Sequence, residues 1–104
     1  MRFKANKLNW TIEYADEDHI SMNDEGGIYF GRAVYLEQKI FIRTGMSTEL
    51  TRETVIHELV HCFLFSYGIK GTEKYSEEQM CVFIGAHADS IIEITDKFIG
   101  GGVC

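Results

Sequence analysis

A chain of 104 residues, 45% of them hydrophobic and 12% aromatic, has the size and apolar content of one globular domain, which excludes an intrinsically disordered polypeptide. Its formal net charge is −6 and its Lys and Arg residues are scattered, so no basic stripe marks a nucleic-acid surface. No apolar run reaches membrane-helix length, and Met1–Lys7 carries positive charge without the apolar stretch of a secretory signal.

In chain order, Trp10–Tyr14 alternates apolar and polar residues, the pattern of a half-buried strand, with at most a short helical turn ahead of it. Asp16-Glu17-Asp18 and Asn23–Gly27 read as loop. Ile28–Tyr35 and Lys39–Arg43 are rich in β-branched and aromatic residues around Leu36-Glu37-Gln38, which predicts a β-hairpin. Ser47 or Thr48 caps a helix that runs to about Tyr67, where Gly68 supplies the stop. Ser76 and Gln79 form a capping box that opens a second helix reaching about Ile94. Met80, Ile84, His87, Ala88 and Ile91 recur at helical spacing as its buried stripe. Residues 98–104 read as a frayed tail. The expected fold is α+β, a single domain over 1–104 in which a small three-stranded twisted sheet packs on the first helix and the second lies alongside. Cys62, Cys81 and Cys104 form no C-x-x-C pair, and Cys62 and Cys81 stand among apolar residues. Buried free thiols in a reducing compartment follow, hence an expected cytoplasmic location.

The informative segment is His57-Glu58-Leu59-Val60-His61. Helix residues four apart share a face, so both imidazoles can reach one metal ion. Glu58 stands about 100° round the helix from His57. It is thus beside the metal, where a carboxylate can take a proton from an activated water; this is the physical content of an H-E-x-x-H motif. The competing account is a pair of hydrogen-bonded histidines. It is disfavoured because two imidazoles and a carboxylate among Val55, Ile56, Leu59, Val60 and Phe63 are costly to bury unless something satisfies them.

The segment Thr54–His61 resembles the active-site helix of the zincin metallopeptidases. The strands ahead of it and the carboxylate-bearing helix after it resemble the small gluzincins, among them ImmA/IrrE-like proteins and compact metallopeptidase-like proteins of phages. The resemblance extends from about Trp10 to Thr95. It implies Zn²⁺ held by His57, His61 and a glutamate of the following helix, Glu58 as general base, and a peptide or protein substrate; charge and hydropathy, as above, argue against a nucleic acid or a membrane as partner. Glu77 and Glu78 are the candidates for that glutamate. Periodicity favours Glu77, which points along the Met80–Ile84 stripe. Glu78 lies in line with Cys81, Val82 and Gly85, where glycine would let the two helices approach closely, and the run Glu78–Gly85 matches the family's ligand helix better in that register. Glu78 is therefore the expected third ligand. His87, about 180° from Glu78 by the helical period, would replace it in a SprT-like arrangement, and is otherwise a core histidine. The metzincin pattern is excluded, because Phe63–Tyr67 holds neither its glycine nor its third histidine.

Metallopeptidases usually add a Tyr, His or Arg that stabilises the oxyanion. Tyr75, Tyr67 and His87 are candidates that no spacing separates. Glu53 could orient an imidazole or simply be solvated, and His19 reads as exposed. The Ile28–Tyr35 strand is core packing on one face, and its edge could also pair with an extended substrate. Two rival functions stand beside peptide hydrolysis. One is a zinc-binding regulatory or interaction module without efficient proteolysis. The other is a metal-dependent nuclease, which the acidic charge disfavours.

Overall fold

The computed structural model describes residues 1–16, 23–24, 27–69 and 76–101. Strands β1 (Arg2–Ala5) and β2 (Leu8–Ala15) form a hairpin. Its two turn residues, Asn6 and Lys7, both adopt positive φ (43° and 72°), the backbone sense that matches the twist of the flanking strands. After the short pair β3 (Asn23–Asp24) and β4 (Gly27–Ile28), strands β5 (Gly31–Val34) and β6 (Lys39–Arg43) form a second hairpin. Helix α1 (Thr48–Ser66) and helix α2 (Glu77–Gly100) complete the chain.

The main sheet has the order β1-β2-β6-β5 and is mixed: β2 pairs with β6 in parallel, Ile12 opposite Ile40, and the two outer pairings are antiparallel. Trp10 and Ile12 of β2, with Ile40 and Ile42 of β6, turn to one face and are fully buried there. Val55, Leu59, Cys62 and Phe63 of α1, and Ile91 and Phe98 of α2, close over them in one cluster. Ala15 and Phe41 form a smaller cluster with Tyr29 and Val34. Two polar ties fix the hairpin of β1 and β2 against the end of α1: Asn6 donates to the Ser66 carbonyl at 2.9 Å, and the Trp10 indole donates to Ser66 Oγ at 3.0 Å. The helices run antiparallel. Arg52 pairs with Asp96 at 2.7 Å near one end, and the Tyr67 and His87 rings lie 4.3 Å apart near the other.

The coarse class is α+β as expected, and the caps are where the sequence puts them, with Ser47 on α1 and the Ser76–Gln79 box on α2. Five details differ. Asn23–Asp24 and Gly27–Ile28 pair as two short strands where Asn23–Gly27 reads as loop. The sheet has four strands, because Arg2–Ala5 pairs with β2 where a helical turn was expected. Helix α2 continues beyond Ile94 to Gly100 and Phe98 is buried, so the chain stays helical through what reads as the start of a tail. The deeply buried positions of α2 are Ile91, Thr95 and Phe98, whereas Ile84 is exposed and Met80, His87 and Ala88 are half-buried. The buried stripe thus lies further along the helix, where α2 meets the sheet layer. Cys62 is buried but Cys81 is exposed; both are free, and Cys104 lies outside the described residues. No helix among the described residues is long and apolar enough to cross a membrane.

Candidate metal centre

His57, His61 and Phe65 are spaced by four residues, so they share one stripe of α1. Its two histidines are exposed, the His57 side chain to 66%, while Phe65 at its end meets Trp10 of the core. The two imidazoles stand with Nε2 of His57 3.2 Å from Nε2 of His61, and their planes are 70° apart. Two nitrogens bound to one tetrahedral zinc at ~2.05 Å would be about 3.3 Å apart, so the pair already has the separation a shared ion requires. The same distance lets one neutral ring donate to the other.

Glu58 leaves the helix on the side of β5 and is buried, at 8% exposure. Strand β5 lies directly on it. A methyl group at Gly31 would stand 2.7 Å from Thr54 Cγ2 and 2.9 Å from Glu58 Cγ, so glycine is what permits this contact. The backbone N–H of Ala33 donates to the Glu58 carboxylate. Burial raises the Glu58 pKa above the usual carboxylate value; His57, His61 and the Ala33 N–H oppose the rise without cancelling it. Oε2 of Glu58 is 3.9 Å from Nε2 of His57, which sets a proton acceptor beside the imidazole pair.

Strand β5 is an outer strand of the sheet. The Phe30 carbonyl accepts from Arg43 N–H at 2.8 Å. Antiparallel pairs alternate between bonded and non-bonded, so Arg32 and Val34 turn their backbone groups to β6, and Gly31 and Ala33 turn theirs to the outer edge. Beneath that edge a groove of ≈ 310 Å³ runs between Phe30 and Gly31 on one side and Leu50, Glu53 and His57 on the other, with Glu58 in its wall.

The structure therefore brings His57, Glu58 and His61 together. Among the described residues no group of three His, Cys, Asp or Glu side chains is gathered as a metal-holding set. Glu77 and Glu78 are both exposed in the first turn of α2, where they complement the helix N-terminus. The close approach expected at Gly85 does not occur: a methyl group there would meet nothing within 4 Å. Helix α2 instead meets the end of α1 through Phe83 and His87. The His87 ring lies 5.7 Å from Phe63, 4.3 Å from Tyr67 and 4.6 Å from Phe83. Phe63 is about 200° round the helix from His61, which puts His87 and Tyr67 on the side of α1 away from the imidazole pair. Glu53 lines the groove. His19 and Tyr75 lie outside the described residues.

Two residues that pack on α1 beside this site carry no mark in the sequence: Gly31, and Tyr35, whose ring stacks on Phe65. Their signal is the period of two in β5, which puts positions 31, 33 and 35 on one face. That signal becomes legible only once the face is known to meet α1. Comparison with known proteins finds no matching family model, no matching curated protein and no matching solved structure.

Proposed function

We propose that this protein is a zinc-dependent metallopeptidase of zincin type, a hydrolase of peptide bonds. One observation carries the reading. Two imidazole nitrogens 3.2 Å apart on one helix stand beside a buried carboxylate that a sheet edge holds in place. His57 and His61 would hold the metal. Glu78 enters as third ligand through the resemblance alone. A bound zinc supplies Lewis acidity, lowering the pKa of water from 15.7 toward ~7 in favourable sites.

The chain's own residues do the rest. The Glu58 carboxylate accepts the proton of the attacking water and returns it to the leaving amine. The Ala33 N–H fixes the direction of that carboxylate. The outward carbonyls of Gly31 and Ala33 can accept from the backbone of an extended peptide laid along β5. A side chain of that peptide would enter the groove between Phe30, Leu50 and Glu53.

The test is elemental analysis of protein reloaded with zinc, beside a peptide-hydrolysis screen of wild type and Glu58→Gln. The expected result is about one zinc per chain, lost in His57→Ala and His61→Ala. Glu58→Gln should keep its zinc and lose hydrolysis. Zinc-loaded protein that retains no metal would refute the reading. Loss of zinc in Glu58→Gln would make Glu58 a ligand and overturn its role as base.

A further inference from the structure

Tyr35 directly follows β5, and the alternation of that strand decides where it stands. Gly31 abuts Thr54 and Glu58 of α1, and Ala33 bonds Glu58. Two residues on, the Tyr35 ring stacks on Phe65 with centroids 5.0 Å apart and planes 26° apart. The strand therefore runs along α1 from Thr54 towards Phe65. Phe65 is one turn beyond His61, on the stripe that carries both imidazoles. Trp10 also meets Phe65, edge to face at 6.1 Å, and braces the stack. The Tyr35 ring is thus held over the turn of α1 that bears His61, on the side where Glu58 lies, and it remains 37% exposed.

We propose that Tyr35 is the hydrogen-bond donor of this site, its phenol O–H meeting the substrate carbonyl oxygen as negative charge develops there. The proposal rests on the metallopeptidase reading and supplies the oxyanion-stabilising group that the sequence left open among Tyr75, Tyr67 and His87. Burial, then Glu58, then Cys62 raise the Tyr35 pKa, so the phenol keeps its proton at neutral pH and is available as a donor. No proton leaves Tyr35 in this role. Glu58 handles the transferred proton, and Tyr35 contributes a fixed dipole.

Tyr35→Phe is the test variant, because it keeps the ring on Phe65 and removes only the hydroxyl. Loss of one such donor is expected to lower kcat by ~10²–10³-fold with KM little changed and zinc content intact. A second measurement requires no turnover. Protein labelled with 3-fluorotyrosine is titrated with Co²⁺ alone and followed by ¹⁹F NMR, the Tyr35 signal being assigned by its loss in Tyr35→Phe. Of the five tyrosines, Tyr35 should show the largest cobalt-induced shift, and His57→Ala should abolish it. Cobalt binding that displaces another tyrosine more strongly, or full kcat in Tyr35→Phe, overturns the assignment and leaves the metallopeptidase reading standing. Loss of zinc in Tyr35→Phe also overturns it, by making the hydroxyl a structural support. Absence of cobalt binding, or of hydrolysis by wild type, overturns the underlying reading and this inference with it.

Discussion

Gly31→Ala probes the contact on which the site depends. The added methyl would lie 2.7 Å from Thr54 Cγ2 and 2.9 Å from Glu58 Cγ. The first distance is about 0.8 Å short of ordinary carbon–carbon contact. Neither neighbour can yield easily. Thr54 is buried and β-branched, so its χ1 is stiff within the helix. Glu58 is held through its carboxylate by the Ala33 N–H. Overpacking of this kind costs ~1–3 kcal/mol, against ~0.4–1 kcal/mol from stiffening the unfolded chain, so the net destabilisation should be roughly 1–2 kcal/mol. At ~4–8 °C of Tm per kcal/mol for a domain of about this size, the loss is easily read by urea or thermal unfolding. Thr54→Ser removes the clashing methyl alone. The double variant should therefore be less destabilised than the sum of the singles by ~0.5 kcal/mol or more. If β5 lifts to relieve the clash, the Ala33–Glu58 bond lengthens and any hydrolysis falls beyond what the stability loss explains. A Gly31→Ala protein at least as stable as wild type, with no coupling to Thr54, would show that β5 does not rest on α1 at Glu58.

Four further outcomes follow from particular residues. Glu58 has its pKa raised in the fold, so the folded protein binds more protons than the unfolded one between the ordinary value of 4.5 and the raised folded value. Below that window the group costs nothing; above it the full penalty is present. In metal-free protein Glu58→Gln should accordingly raise Tm relative to wild type at pH 8, and the gain should shrink as pH falls toward 4.5; a lower Tm at pH 8 would contradict the burial argument. Burial pushes the Cys62 thiol up to about 12, which leaves a thiolate fraction of ~10⁻⁴ at pH 8. A Cys81→Ser/Cys104→Ser protein should react with a disulfide reagent only after denaturation, and prompt native reactivity would show Cys62 to be accessible. Gly85 lies mid-helix with open space around it, so Gly85→Ala should stabilise by ~0.5–1 kcal/mol, whereas a loss on unfolding assays would reinstate a close helix contact there. Competition against a zinc chelator then decides the third ligand. A large loss of affinity in Glu78→Ala, with Glu77→Ala costing no more than a helix-terminus charge effect, supports Glu78, and the reverse assigns Glu77.

Those parts of the molecule that depend on local chemistry were legible in the sequence. Ser47 and the Ser76–Gln79 box announce the helices, because capping is settled within a few residues. His57, Glu58 and His61 form a constellation within two helical turns, so the helix alone brings them together. Strand β1 was not legible. Its four residues Arg2–Ala5 carry two charges, and the Asn6-Lys7 turn lacks the glycine that usually signals a two-residue hairpin. The parallel pairing of β2 with β6 joins segments about 28 residues apart in the chain, and no local pattern records such a register. The end of α2 was obscured by Gly100–Gly102, although Phe98 continues the spacing of Ile91 and Thr95 and is buried. Glu58 was expected beside the metal, but its burial follows from a glycine 27 residues earlier, which only the packed structure connects to it.

The two helices consequently serve different ends. Helix α1 contributes to the core along Val55, Leu59 and Cys62 and to the site along Thr54, Glu58, His57 and His61, so its two faces are coupled through one rigid element. Helix α2 secures the fold through its second half, where Ile91, Thr95 and Phe98 are buried, and Phe98 stacks on Tyr14 at 4.5 Å. Its first half meets α1 through the rings around His87, and Glu77 and Glu78 stand exposed at its start. Phe98→Ala should therefore cost the ~3–5 kcal/mol typical of a core aromatic and threaten the whole domain. Substitutions of Glu77 or Glu78 act on no buried contact, so they should cost no more stability than a helix-terminus charge effect of ~0.3–1 kcal/mol, and a larger change in affinity for added zinc would report on metal binding itself.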